Sequence, residues 1–295
     1  MTPNLDHRNR GRAAIAFALL LFAASVVVAS DVLDLPGEPF GPAQARLETA
    51  IEELGLQKAV ADGRLAIALV TIDGLEAKSL AMANGNQMMY AASLPKIAIL
   101  YGAAVAIDEG RFEPDEAQSA DMVAMIRRSC NACATRVLEA IGREWLLELL
   151  QAEPYRFYDH DKGGGLWVGK DYARDGAYRR DPLQGLSHAA TPWQVARWYY
   201  LLINGRLASR EQTDMMMEVL SDPAIKHKFV GGLEGRPTDE LYRKSGTWMQ
   251  YHSDSMLLTA GSASFILVAM ANDASGGQWL ERIAARVYDR LVSQQ

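Results

Sequence analysis

Residues 90–107 read YAASLPKIAILYGAAVAI, with a serine and a lysine three positions apart at the mouth of an almost wholly apolar run. Ile97, Ile99, Leu100, Ala103, Ala104, Ala106 and Ile107 leave no polar face, so residues 94–107 are expected to form a buried helix. Ser93 and Lys96 would then share one helix face within side-chain reach. Pro95 suits a first turn, where a missing N–H costs little. Burying an unpaired ammonium is expensive, so a lysine in such a helix needs a purpose there. A serine hydroxyl is a weak nucleophile until a base takes its proton. Lysine can be that base once burial or a second cation lowers its pKa. The helix N-terminus would also favour the forming alkoxide. Read alone, the pair fits better an N-capping serine followed by an ordinary helical lysine, a reading the apolar run argues against.

Two more short motifs stand downstream. Ser129-Cys130-Asn131 precedes a helical pattern at residues 132–141. Lys244-Ser245-Gly246-Thr247 lies in a strand-like stretch, where Gly246 would let an extended substrate lie close to the backbone. Each has a structural reading too: a helix cap for the first, a glycine bulge in an edge strand for the second.

Around these motifs the chain alternates in character. Residues 42–58 are one-sided and amphipathic, as for a helix. Residues 65–72 form an apolar strand, and Asp73-Gly74 supplies a two-residue hairpin turn into residues 75–82. Helical patterns occupy residues 121–128, 132–141, 144–150, 193–203 and 210–220. Residues 154–190 lose periodicity and fill with Gly, Asp, Arg and Tyr. Two strand-like runs, 241–258 and 264–271, precede a last amphipathic helix at 279–292. Strands early and late around a helical block predict an α/β (α+β) fold. It would have one antiparallel sheet flanked by helices, plus an all-helical lobe. The expected division is an α/β lobe at about 40–91 and 221–295 and a helical lobe at about 92–220. The cleft between them would receive Ser93 and Ser129 from one side and Lys244 from a sheet edge.

In order and setting, the three motifs resemble those of the class A β-lactamases and D,D-peptidases, the penicillin-recognising serine acyl-enzymes. The flanks Tyr90-Ala91-Ala92 and Tyr242-Arg243 belong to the same likeness, which covers most of residues 31–295. It implies Ser93 as nucleophile and Lys96 as base. Ser129 would relay a proton to the leaving nitrogen, and Asn131 would hold the substrate's amide side chain. Lys244 and Ser245 would anchor its carboxylate. The backbone N–H groups of Ser93 and Thr247 would form the oxyanion hole. The middle residue of the second motif is usually Asp in that family and is Cys130 here. A larger departure lies in residues 152–190. Class A β-lactamases carry a Glu-x-x-Leu-Asn loop there, whose Glu activates the deacylating water. This chain offers only Glu153, Asp159, Asp161, Asp171, Asp175 and Asp181, of which Asp161 and Asp171 flank a Gly-rich stretch and are the candidate substitutes.

The expected function is therefore an exported serine hydrolase that forms a covalent acyl-enzyme with β-lactams or related cell-wall peptides, resembling class A. The alternatives are a D,D-peptidase or penicillin-binding protein with slow deacylation, and a non-catalytic penicillin-binding module. No metal or organic cofactor is expected, and the protein is expected to be a monomer. Arg8, Arg10 and Arg12 followed by an apolar run of about 17 residues read as a signal peptide over residues 1–30, or as an uncleaved anchor. An extracytoplasmic, periplasmic location follows from either, with membrane contact only through that segment if it stays. Its removal would take the net charge from −6 to −8, since three arginines leave with Asp6. That sign gives nucleic acid no field to bind.

Weaker signals resolve against function. Residues 164–170 nearly spell a phosphate loop, but Asp171 stands where Ser or Thr is needed and no helix pattern follows. Trp167 and Tyr172 are candidate substrate-facing walls in that stretch. Asp159-His160-Asp161 reads as a solvated loop rather than a metal site. Cys130 and Cys133, the only cysteines, are either buried thiols or a local disulfide.

Overall fold

Leu65–Asp73 (β1) sends alternate side chains to two different cores. Ala66, Ala68 and Val70 enter one apolar cluster, while Leu65, Ile67 and Leu69 enter the other. Strand side chains alternate faces, so an unbroken apolar run marks a strand covered on both. Ala263–Asn272 (β10) does the same, with Ile266, Val268 and Met270 on one side and Phe265, Leu267 and Ala269 on the other. The computed structural model describes residues 33–173 and 176–292. Its main sheet adds Glu76–Ala83 (β2), Glu240–Trp248 (β8) and Tyr251–Ala260 (β9), in the order β2-β1-β10-β9-β8. Every pair is antiparallel.

One face of this sheet is covered by the helices Ala43–Glu53 (α1) and Gly276–Leu291 (α10). Pro192–Ile203 (α7) packs on β1, β9 and β10, and its apolar residues join the cluster on the opposite face. That cluster runs on into the helical part: Lys96–Asp108 (α3), Glu116–Arg127 (α4), Asn131–Ile141 (α5), Arg143–Gln151 (α6) and Arg210–Leu220 (α8). The all-round apolar run is accordingly the central helix, with α4, α5, α6 and α8 packed around α3. The expected class, an antiparallel sheet with flanking helices and a helical block, is the observed one.

Several boundaries differ from expectation. The helix read over residues 42–58 is two, α1 and Gln57–Ala61 (α2), because Gly55 takes a left-handed φ of 68° that turns the chain between them. The first hairpin turns at Gly74-Leu75, since Asp73 itself pairs with Glu76. The run 241–258 is a hairpin, not one strand: Met249 at φ 52° and Gln250 form its two-residue loop. Residues 154–190 hold order that periodicity could not show, because its strands are two or three residues long. Tyr158–Asp159 (β4) pairs with Gly164–Gly165 (β5) across a 3₁₀ turn. His188–Ala190 (β7) lies between Met89–Tyr90 (β3) and Trp167–Val168 (β6). A short helix, Phe229–Gly232 (α9), was also unforeseen. Among the described residues no helix is long and apolar enough to cross a membrane. The proposed signal or anchor at residues 1–30, and Asp175, lie outside the described residues.

Candidate active site

The segment that carries Ser93 is tied down on three sides. The Ala91 amide donates to His188 O (2.9 Å), Ser253 Oγ to Ala91 O (2.8 Å) and Tyr172 Oη to Ala92 O (3.2 Å). Ala92 takes a positive φ of 51°, a conformation that non-glycine residues keep only where their surroundings enforce it. Residues 91–98 then wind through i→i+3 bonds, Leu94 N to Ala91 O and Lys96 N to Ser93 O among them, into α3. Ser93 therefore stands on the tight turn before the helix, and Lys96 is the first helical residue. The Ser93 side chain is half-buried, and among the described residues nothing accepts its amide proton.

Lys96 is fully buried, and burial pushes its amine down to about 7. Its Nζ donates to Ser129 O (2.7 Å) and Asn131 Oδ1 (2.8 Å) and lies 3.4 Å from Ser129 Oγ. The Tyr172 ring sits 4.4 Å from the same nitrogen. No carboxylate among the described residues pairs with it. A neutral amine can make both short bonds and keep its lone pair for an incoming proton.

Ser129, at φ 56°, ends the loop after α4, and Cys130 caps α5 with its sulfur against the Cys133 amide. The two cysteines are joined as a disulfide, which closes the turn that aims Ser129 and Asn131. From the sheet side, Lys244 Nζ reaches Ser129 Oγ at 3.0 Å and Ser245 O at 2.6 Å. Lys244 is buried, and desolvation first, then Lys96 and Arg243, hold its pKa well below the usual lysine range. With two amines beside its oxygen, the Ser129 hydroxyl has only its own proton to offer outward. The second and third motifs thus meet on one oxygen atom.

β8 is an edge strand. Trp248 and Tyr251 close its two-residue hairpin as a hydrogen-bonded pair, so by antiparallel alternation Gly246–Ser253 is one as well. Ser245 and Thr247 must then turn their backbone groups to the free edge. A Cβ on Gly246 would fall 2.6 Å from the Ser93 amide nitrogen, so only glycine allows this approach. The Ser93 and Thr247 amides consequently border the same space. Behind the strand, Arg243 and Asp254 form a buried pair at 2.6 Å, and Asp254 also accepts the Phe229 amide. Removing one partner of such a pair costs about 3–5 kcal/mol.

The structure brings together all eight residues singled out for the site, Ser93, Lys96, Ser129, Asn131, Lys244, Ser245, Gly246 and Thr247. Neither candidate substitute for the missing Glu pairs with Lys96. Asp171 is held by Arg143 through two 2.7 Å bonds, and Asp161 is exposed beside His160. Trp167 is buried, with Nε1 donating to Arg179 O, and faces no substrate; Tyr172 does line the site. His188 was not foreseen. It is buried against Tyr172 (4.3 Å), donates through Nε2 to Lys170 O, and burial lowers its pKa to about 4. A lone histidine in an aperiodic segment carries no signal of that contact. Among the described residues no group of His, Cys, Asp and Glu could hold a metal ion.

The sequence matches the Beta-lactamase enzyme family over residues 122–291. No curated protein matches the chain. Among solved structures, a β-lactamase from Sphaerobacter thermophilus is similar at 16% identity and TM-score 0.64, covering 83% of this chain and 96% of its own. PBP-A is similar at 17% identity and TM-score 0.62, covering 86% and 98%. An ancestral class A β-lactamase is similar at 16% identity and TM-score 0.65, covering 83% and 100%. At these identities the likeness establishes a shared fold. A variant of PBP-A has been solved as an acyl-enzyme complex with penicillin G.

Proposed function

Because this chain belongs to the beta-lactamase enzyme family, we propose that it is an exported serine acyl-enzyme acting on β-lactams or D-Ala-D-Ala-type cell-wall peptides. One observation carries the reading: Lys96 and Lys244, both buried, converge on Ser129 Oγ beside a Ser93 whose amide has no acceptor among the described residues. Ser93 Oγ attacks the substrate carbonyl, and its proton passes to neutral Lys96. The carbonyl oxygen becomes an oxyanion between the Ser93 and Thr247 amides, where preformed donors lower the barrier. Ser129 gives its proton to the leaving nitrogen and is resupplied by the lysine pair. Lys244 attracts the substrate carboxylate, with the Ser245 and Thr247 hydroxyls at the same edge. Asn131 stands ready for the acylamide side chain.

A second observation favours the slow-turnover alternative. Hydrolysis of the ester needs a base for water, and the place beside Lys96 is filled by the Tyr172 ring, not a carboxylate. We therefore read the acyl-enzyme as long-lived, closer to a penicillin-binding peptidase than to a fast β-lactamase. Intact-mass analysis with benzylpenicillin and with an acyl-D-Ala-D-Ala peptide, against Ser93→Ala, tests this. One covalent equivalent on the wild type with peptide cleavage supports a peptidase. An adduct without peptide cleavage supports a binding module. The absence of both adduct and lactam turnover removes the serine mechanism, and turnover without an adduct supports a fast β-lactamase instead.

A further inference from the structure

Lys228 belongs to none of the three motifs, yet it is almost wholly buried behind β8. Its Nζ donates to Gly246 O (2.5 Å), Thr247 Oγ1 (2.8 Å) and Ser253 O (3.1 Å). An ammonium has three donors, so all are spent and none is left for a substrate carboxylate. The backbone of Lys228 sits at φ 54°, ψ −119°, a region sparsely populated by side-chain-bearing residues. Such strain persists only where the surroundings over-determine it, and here the three bonds and the burial do so.

Gly246 O and the Thr247 N–H belong to one peptide unit. It is trans and planar, so the carbonyl and the N–H point in opposite directions. The carbonyl points in toward Lys228 and Ser253; the N–H therefore points out to the free edge beside Ser93. Resting on the acyl-enzyme reading above, we propose that Lys228 is a positioning residue that fixes and polarises the Gly246–Thr247 peptide as an oxyanion donor. A cation on the carbonyl side withdraws charge and strengthens the N–H on the other, as hydrogen bonds in series do. Because the oxyanion exists only as the bond forms, the effect falls on the acylation rate constant and not on initial binding.

Titratable and charged groups surround Lys228: its neighbour His227, Arg243 and Lys244 on β8, and His252 and Asp254 on β9. Desolvation lowers its pKa to about 8; Asp254 opposes the shift and Arg243 adds to it. Lys228 is then charged at neutral pH and loses its effect as pH rises above that value.

Stopped-flow acylation by a chromogenic cephalosporin tests this with wild type, Lys228→Met and Lys228→Arg between pH 6 and 10. The Met variant should acylate about 10- to 100-fold more slowly, a fraction of the loss seen when an oxyanion donor is removed. Its initial dissociation constant should stay within about threefold of wild type, since uniform binding is untouched. The Arg variant should restore the rate at neutral pH and move the alkaline decline upward. A folded Met variant with an unchanged rate constant, or a loss confined to initial binding, overturns the proposal. Should the Met variant not fold, the Thr247 amide proton of the labelled wild type decides: it should titrate near pH 8, and a flat response overturns the coupling. A wild type that neither forms an adduct nor turns over the cephalosporin overturns the acyl-enzyme reading and this inference together. A wild type that acylates while the Met variant keeps pace overturns this inference alone.

Discussion

The cleft beside Ser93 and the segment at residues 152–190 handle charge in opposite ways. In the cleft two lysines are buried next to each other with hydroxyls and carbonyls for company, and among the described residues no carboxylate pairs with either. In the segment the described acids other than exposed Asp161 are engaged locally, Asp159 by the Asp161 amide among them. Asp171 goes to Arg143, Glu153 to Arg156, and Asp181 to the amides of Leu183, Gln184 and Leu186. Burial without a counterion depresses the pKa of both lysines, with neighbouring positive charge adding to the shift at Lys244, and yields bases. Acids spent on holding a loop yield none. On the proposed acyl-enzyme reading the two halves of the cycle separate in space: acylation is equipped, and activation of water is not.

The comparison breaks first at Ser93. Ser93→Ala should lose covalent labelling completely; a labelled variant would move the nucleophile elsewhere. Lys96→Met should slow acylation about 10³-fold, the usual worth of a positioned general base. In the wild type the acylation rate should rise with pH through about 7, as Lys96 loses its proton. A profile flat across that range would show that Lys96 is not the base.

Tyr172→Glu transplants an acid into the cleft. The new carboxylate would raise the Lys96 pKa, moving the acylation limb to higher pH, and offer water a base. Release of the adduct should quicken by about tenfold or more, as general-base assistance gives. Unchanged release would show that the missing carboxylate is not what stabilises the adduct.

Stability carries the same signature. The folded pKa of Lys96 lies below its unfolded value of 10.5, so folding is penalised while the unfolded chain binds the extra proton. The penalty is full below about 7 and fades as pH rises toward 10.5. The urea midpoint should therefore climb from pH 6 to pH 9, and less steeply in Lys96→Met. The smallest change should come from replacing both Cys130 and Cys133 by alanine. Closing so short a loop is worth about 2 kcal/mol of stability, and acylation should slow by less than about tenfold.

Much of this was legible from residues alone. The apolar run with a single lysine fixed α3 at the centre, because a polar-faceless helix has nowhere else to go. The site was legible because its chemistry requires particular side chains at short spacings. What stayed hidden depends on contacts between distant segments. The Tyr172 ring over Lys96 comes from an irregular bend, and His188 beside it from a strand too short to show a period. Lys228 acts on a carbonyl 18 residues away and looks in sequence like any loop lysine.

The separation of the two halves is tested most directly by mixing the protein with a chromogenic cephalosporin and following the first seconds. The account predicts a burst of one product per active site, then a steady rate far below the burst. Linear turnover from the start, with no burst and no adduct by mass, would contradict it.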